Sequence, residues 1–186
     1  LSIYSQDGQI VQSIRVKNYP MSMVANEDYI YVINYKDTFL SVINKNTYEI
    51  EHEWQIPKSS HGIDIFEDEL WIGGHGEGIK ANRFVSIYNL HTGQLQSIMP
   101  IGVAHLQSTY AVVSHGNSMV HALNEDHQII WEKQIGANPF AITTFEQEFV
   151  IAGYDDHSLY FVSQDGTITQ TIDVGKGPFQ LIARER

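Results

Sequence analysis

The sequence contains no cysteine, few basic residues and no long apolar run, and each absence excludes a class of protein. Without cysteine among its 186 residues there can be no disulfide and no thiolate metal site. The 11 Lys and Arg residues are outnumbered by 22 Asp and Glu, which gives a net charge of −11 at pH 7. Because this charge repels a phosphate backbone, nucleic acid is not an expected partner. No apolar run approaches the roughly 18 residues of a membrane-spanning helix, so no transmembrane segment is predicted.

What the sequence does contain is typical of a folded domain. Hydrophobic residues make up 42% and aromatic residues 11% of the chain, enough to build a substantial core. The chain opens on Leu1, without a basic segment followed by an apolar one. We therefore expect that a leader has been removed or that the chain is a fragment.

A seven-residue frame with apolar first and last positions recurs five times. It occupies residues 10–16, 50–56, 95–101, 129–135 and 168–174. Four residues after each copy comes a marker position, so that the markers are Pro20, Ser60, His105, Pro139 and Pro178. Their separations of 40, 45, 34 and 39 residues indicate a repeat of about 40 residues.

Each repeat contains four short runs rich in Val, Ile, Tyr and Phe, separated by turn residues, and helical spacing is not sustained anywhere. Four antiparallel strands in about 40 residues form a β-propeller blade. We predict an all-β fold, with residues 1–186 as one β-propeller domain of four complete repeats plus partial blades at both ends. The chain is predicted to begin in the third strand of a blade, at "LSIYS", and to end in a first strand, at "FQLIARER". A larger propeller of about seven blades is the expected parent.

Residues 16–47, "VKNYPMSMVANEDYIYVINYKDTFLSVINKNT", resemble the YVTN repeat of seven-bladed propellers. "YIYVIN" stands where that family has Tyr-Val-Thr-Asn, and "VGKGPFQLI" at 174–182 resembles the start of its blades. His61 and His105 depart from the family's proline-aromatic start. The resemblance, which extends to YncE-like proteins and lactonase relatives, implies no single activity. It implies an extracellular or cell-envelope location, with a cytoplasmic one left open.

Candidate functional residues follow from the propeller topology. The turn before each first strand and the turn after each second strand open on one face, around the mouth of the channel; we call it the upper face. The glycine-rich "IGGHGEG" at 72–78 lies there, and the same reasoning applies to the other blades. The candidate ligand-binding residues are His61, His75, Glu77, His105, His115, Tyr154 and Asp155. His75, His115 and His157 are candidate ligands for a divalent metal, because imidazole and carboxylate groups both bind such ions. The remaining histidines, His52, His91, His121 and His127, are predicted to be solvated.

Two functions from different classes remain open at this stage. The first is a binding module whose upper face recognises a protein, a peptide or a glycan, a function that many propellers have. The second is a metal-assisted hydrolase or lyase, of lactonase-like type, which would use the upper-face histidines as metal ligands or general bases. Unpaired blade edges would also allow self-association.

Overall fold

The computed structural model describes residues 1–74, 84–101, 104–108, 111–114 and 118–183, and at 104–108 and 111–114 the backbone only. These residues form strands and turns, with no helix among them. An N-terminal pair consists of β1 (Ser2–Tyr4) and β2 (Ile10–Ser13). Four sheets of four strands follow, and we call them blades 1 to 4.

Each blade is one continuous stretch of chain. Blade 1 comprises β3 (Pro20–Ala25), β4 (Tyr29–Asn34), β5 (Phe39–Asn44) and β6 (Ile50–Gln55). Blade 2 comprises β7 (Ser60–Phe66), β8 (Glu69–Gly74), β9 (Val85–Asn89) and β10 (Leu95–Met99). Blade 3 comprises β11 (Ala104–Ser108), β12 (Ala111–Ser114), β13 (Met119–Leu123) and β14 (Ile129–Gln134). Blade 4 comprises β15 (Pro139–Phe145), β16 (Glu148–Gly153), β17 (Ser158–Val162) and β18 (Ile168–Asp173).

The strands of each blade are joined by hairpins in sequence order, and every pair is antiparallel. The first strands of successive blades contact one another: β3 with β7, β7 with β11, and β11 with β15. This is the arrangement predicted from the repeat, with the first strands innermost and the frame residues in the fourth strands.

Two details differ from the sequence prediction. The first strand of blade 3 begins at Ala104, one residue before the marker His105, because Ala104 takes the position opposite the end of the second strand that Pro20 takes in blade 1. At the C-terminal end, the described residues of the predicted first strand, 178–183, are not in a strand. A first strand gains its ladder of hydrogen bonds only by pairing with a second strand, and among the described residues no second strand follows this segment.

The core lies between the blades, since each sheet packs its flat face on the next. Between blades 1 and 2, Tyr31, Ile33 and Leu40 pack against Ile63 and Leu70, and all five are at most 7% exposed. Each such side chain contributes on the order of 1.5–3 kcal/mol of burial free energy.

The fourth strands hold the turns of the following blade. The ring of Trp54 in blade 1 lies directly against Gly93 in the turn between the third and fourth strands of blade 2. Trp131 in blade 3 packs in a similar way on Gly166 in blade 4 and donates a 2.8 Å hydrogen bond to the carbonyl of Gln164. Both glycines have φ near the left-handed region, +67° and +83°, and leave room for the indole.

Two of the histidines predicted to be solvated are not. The ring of His127 packs edge-on against Trp71, with 4.9 Å between ring centres, and its Nε2 lies 2.9 Å from Glu69 Oε2. His121, expected to be solvated, is only 7% exposed, because it lies on a third strand that is covered on both sides rather than on an outer strand. Burial lowers the pKa of its imidazole, although Glu132, with Oε2 3.4 Å from Nδ1, acts in the opposite direction. Within the described ranges there is no helix long and apolar enough to cross a membrane.

Candidate functional site

The upper face is built from a backbone turn that repeats before the first strands. Tyr19, Ser59 and Asn138 have φ of 61°, 57° and 55°, and Gly177 has φ of 64°. In each of these turns, the residue with the left-handed backbone conformation reverses the direction of the chain before the next segment begins. In blade 1 the amide of Tyr35 donates to the carbonyl of Tyr19 (2.9 Å), so the end of the second strand is fixed to the start of the first.

The second residue of the first strand is bulged out of the ladder in three blades. Pairing passes over Met21, His61 and Phe140 while their neighbours keep their partners. A bulge of this kind redirects one side chain away from the sheet and is common beside functional sites. In each of these three blades the bulge therefore takes one side chain out of the alternation of the first strand, next to the upper turn.

His61 is buried between blades 1 and 2 at this level. It is 6% exposed, and its ring centre lies 6.4 Å from that of Tyr35. Its carbonyl accepts a 2.6 Å hydrogen bond from Ser22 Oγ, which joins the first strands of the two blades. Most of the ring is thus enclosed by protein.

An aromatic cluster lies at the upper end of blade 1. The ring centres of Tyr19 and Tyr35 are 5.9 Å apart, and the Lys36 ammonium lies 5.0 Å from the centre of the Tyr19 ring. Tyr19 is 56% exposed. We call these three residues the Tyr19 cluster; it presents an exposed ring together with a cation.

A second aromatic cluster lies at the upper end of blade 4. Phe140 is 5.6 Å from Tyr154 and 4.5 Å from Phe179, measured between ring centres. Gly177 packs against the Tyr154 ring, and a β-carbon at this glycine would lie 3.0 Å from it. Phe179 is 56% and Tyr154 37% exposed. We call Phe140, Tyr154 and Phe179 the Phe140 cluster.

The acidic turn after β16 contains one exposed and one anchored carboxylate. Asp155 is exposed, and its amide donates to the carbonyl of Ala137 (3.2 Å). Asp156 instead turns inward: its Oδ2 accepts hydrogen bonds from the amide of Ala137 (2.8 Å) and from the Tyr160 hydroxyl. Asp155 is the carboxylate of this turn that a ligand can reach.

His157, with φ of 59°, uses Nδ1 for contacts within the protein. That atom lies 3.0 Å from the carbonyl oxygen of Tyr154 and 3.2 Å from the amide nitrogen of Gly177. The two contacts require opposite tautomers, and in either case Nδ1 is occupied. Only Nε2 of His157 is available to a metal ion or a substrate.

The metal prediction is only partly addressed by the described residues. His75, Glu77 and His115 lie outside them, and His105 is described only by its backbone in β11. In the rest of the chain, as far as the structure describes it, no three His, Asp or Glu side chains are grouped so that they could hold an ion. A site formed by His75, His115 and His157 stays a prediction.

Sequence reasoning missed Asp64 and the phenylalanines of the Phe140 cluster. Asp64 lies in the first strand of blade 2, where burial raises the pKa of its carboxyl to about 6. Its Oδ1 accepts a hydrogen bond from the Ile65 amide (2.9 Å). An acidic residue within a first strand was the available signal for Asp64, and the Pro-Phe pairs at 139–140 and 178–179 were the signal for the cluster.

Comparison with solved structures confirms the β-propeller fold. A catalytically inactive virginiamycin B lyase from Staphylococcus aureus, with quinupristin, is 14% identical over 96% of this chain, with a TM-score of 0.79. BamB from Moraxella catarrhalis is 11% identical over 95% of it, with a TM-score of 0.69. BBS1N in complex with ARL6DN is 9% identical over 90%, also with a TM-score of 0.69.

These similarities concern the fold alone, because the sequence identities are low. This chain spans 65%, 59% and 56% of the lengths of those three chains, respectively. No protein-family model and no curated protein sequence matches it.

Proposed function

We propose that the chain is part of a binding β-propeller whose upper face recognises a protein or peptide partner. The observation that carries the proposal is the pair of partly exposed aromatic clusters, the Tyr19 and Phe140 clusters, at the same end of their blades. Exposed aromatic patches on a folded protein mark interaction sites, and tyrosine is enriched among the residues that dominate binding energy. BBS1N, one of the similar propellers, was solved in complex with ARL6DN.

The turns give these aromatic residues a fixed geometry. In blade 4 the amide of Tyr154 donates to the carbonyl of Asn138 (3.0 Å), and Gly177 supports the face of the Tyr154 ring. Because the rings are already held in place, a partner pays little additional ordering entropy on binding. The net charge of −11 favours a partner with basic residues.

The test is selection of binding peptides from a random-sequence library, followed by affinity measurements on variants. We expect Tyr19→Ala and Tyr154→Ala each to weaken a selected peptide by roughly tenfold or more, as for a hot-spot residue. Tyr4→Ala is the matched control. Tyr4 is a similarly exposed tyrosine (59%), but it lies in β1 next to the turn between β1 and β2, away from the upper face. Peptides that bind both upper-face variants as well as the parent chain would contradict the proposal.

A metal-assisted lyase or hydrolase is the second candidate. The similarity to virginiamycin B lyase favours it over other enzyme classes, and His157 Nε2 with Asp155 offers the required ligand chemistry. Plasma mass spectrometry on protein purified without a metal-affinity tag tests it. A near-stoichiometric metal that is lost in His75→Ala, His115→Ala or His157→Ala would support this candidate, and absence of metal would oppose it.

Membership of the YVTN or YncE-like group, a parent propeller of about seven blades and an extracellular or envelope location remain proposals that rest on the sequence resemblance. Self-association through open edges is likewise a proposal, supported by the edge of β1 that faces away from β2. Sedimentation at increasing protein concentration would detect it.

A further inference from the structure

A cleft of about 180 Å³ opens between blades 1 and 2 at the lower end of the sheets, opposite the upper face. Aromatic side chains and planar polar groups share its lining. The residues that the argument uses are Asn26, Tyr29, Tyr31, His52, Trp54 and His91.

The cleft lies where the fourth strand of blade 1 has a histidine at the position that a tryptophan takes in blade 3. In blade 3, Trp131 pairs with Ala122 and fills the groove above the turn of blade 4 by its contacts with Gln164 and Gly166. The strand register puts His52, opposite Val42, at the equivalent place in blade 1. His52 is exposed and smaller than an indole, so the corresponding groove stays open.

A buried hydroxyl faces this opening with an incomplete hydrogen bond. Tyr31 is 1% exposed, and its hydroxyl lies 3.5 Å from Asn26 Nδ2, which is longer than an ordinary hydrogen bond. Burial raises the pKa of this phenol to about 12, so the group keeps its proton at neutral pH. A ligand hydroxyl placed here would receive or supply the missing hydrogen bond.

We propose that this cleft binds one neutral monosaccharide unit, either free or at the end of a glycan. The half-buried ring of Tyr29 offers an apolar face to sugar C–H groups, while Asn26 Nδ2, the His52 ring and Nδ1 of His91 can form hydrogen bonds to its hydroxyls. Asn26 Oδ1 already accepts from the amides of Asp28 and Tyr29, and His91 Nε2 lies 3.0 Å from Asp68 Oδ1. The volume is below the roughly 300 Å³ at which pockets for drug-sized ligands begin, which suits a single ring. Asp28 at the margin disfavours an anionic ligand. This site is separate from the proposed upper-face function and does not depend on it.

The experiment is saturation-transfer NMR on the full chain with the methyl glycosides of glucose, galactose, mannose and N-acetylglucosamine, with betaine, a zwitterion with a quaternary ammonium group, as a non-sugar comparison. We expect transfer to the ring protons of at least one sugar. His52→Trp, which fills the groove as Trp131 does at its own junction, should abolish the transfer. Gln170→Trp, the exposed equivalent position in blade 4, is the matched control and should leave it unchanged.

A smaller change separates binding from misfolding. Tyr31→Phe removes only the hydroxyl and should weaken the sugar by roughly two- to tenfold, the range for one hydrogen bond, with an unchanged circular dichroism spectrum. Absence of transfer to any sugar, or transfer to betaine alone, would overturn the proposal. A sugar signal that survives in His52→Trp and disappears in Tyr154→Ala would assign binding to the upper face and would overturn it as well.

Discussion

At the residue scale, Asp156 holds the upper turn of blade 4 together. Its carboxylate accepts from the Ala137 amide and the Tyr160 hydroxyl, and burial together with this contact raises the pKa of Tyr160. We expect Asp156→Ala to lower the free energy of unfolding by about 1–3 kcal/mol, because two donors lose their acceptor. Urea unfolding measures this. Asp155→Ala, in the neighbouring exposed carboxylate, should change it by less than about 0.5 kcal/mol; equal effects would contradict the assignment.

Asp64 gives a prediction about pH. Burial raises its pKa from 3.8 to about 6 in the folded chain, so between these values the folded state binds more protons than the unfolded state. Stability contributed by this group is therefore present below about pH 4 and is lost as pH rises through about 6. We expect Asp64→Asn to stabilise the protein by about 1–3 kcal/mol at pH 7 relative to its effect at pH 4. Urea unfolding of both proteins at pH 4 and pH 7 measures the effect. The same change in the free energy of unfolding at both pH values would contradict the prediction.

At the element scale, the contact between a fourth strand and the next turn controls how blades join. A β-carbon at Gly93 would lie 2.4 Å from the Trp54 ring, and the residue has φ of +67°. Gly93→Ala should cost about 2–4 kcal/mol, from left-handed strain plus overpacking. Gly8→Ala is the control: its φ is +83° but nothing lies within 4 Å of its added carbon, so about 1 kcal/mol is expected. Thermal unfolding of both variants measures the two losses of stability. Equal losses would contradict the steric explanation.

The strands were largely predictable, because short β-rich runs recur with the same turn chemistry. Asn44 and Asn89, for example, accept hydrogen bonds from backbone amides two and three residues later, which identifies the hairpin turn from sequence. The local sequence predicted a first strand at the C-terminal end, but a strand also needs a neighbour to pair with, and the described residues after Asp173 contain no second strand. His121 was misjudged for a related reason: burial of a third strand depends on the neighbouring blade.

At the scale of the whole molecule, the topology predicted which residues share the upper face, but their side-chain contacts required the structure. The anchoring of Asp156 beside an exposed Asp155 illustrates this, because adjacent residues of a turn differ only in direction.

The net charge leads to a prediction about the partner. Affinity for a basic selected peptide should fall as salt rises from 50 to 500 mM, values chosen to shorten the Debye length from roughly 14 Å to about 4 Å. An affinity independent of salt would contradict an electrostatic contribution.

The most direct test of the account is to locate the bound peptide by hydrogen exchange and mass spectrometry. Binding on the upper face predicts slower amide exchange in residues 19–22, 34–38, 137–140 and 154–158. It also predicts no change in the lower turns at 44–49 and 89–94. Protection confined to those lower turns, with the upper segments unaffected, would contradict the claim that the upper face is the binding surface.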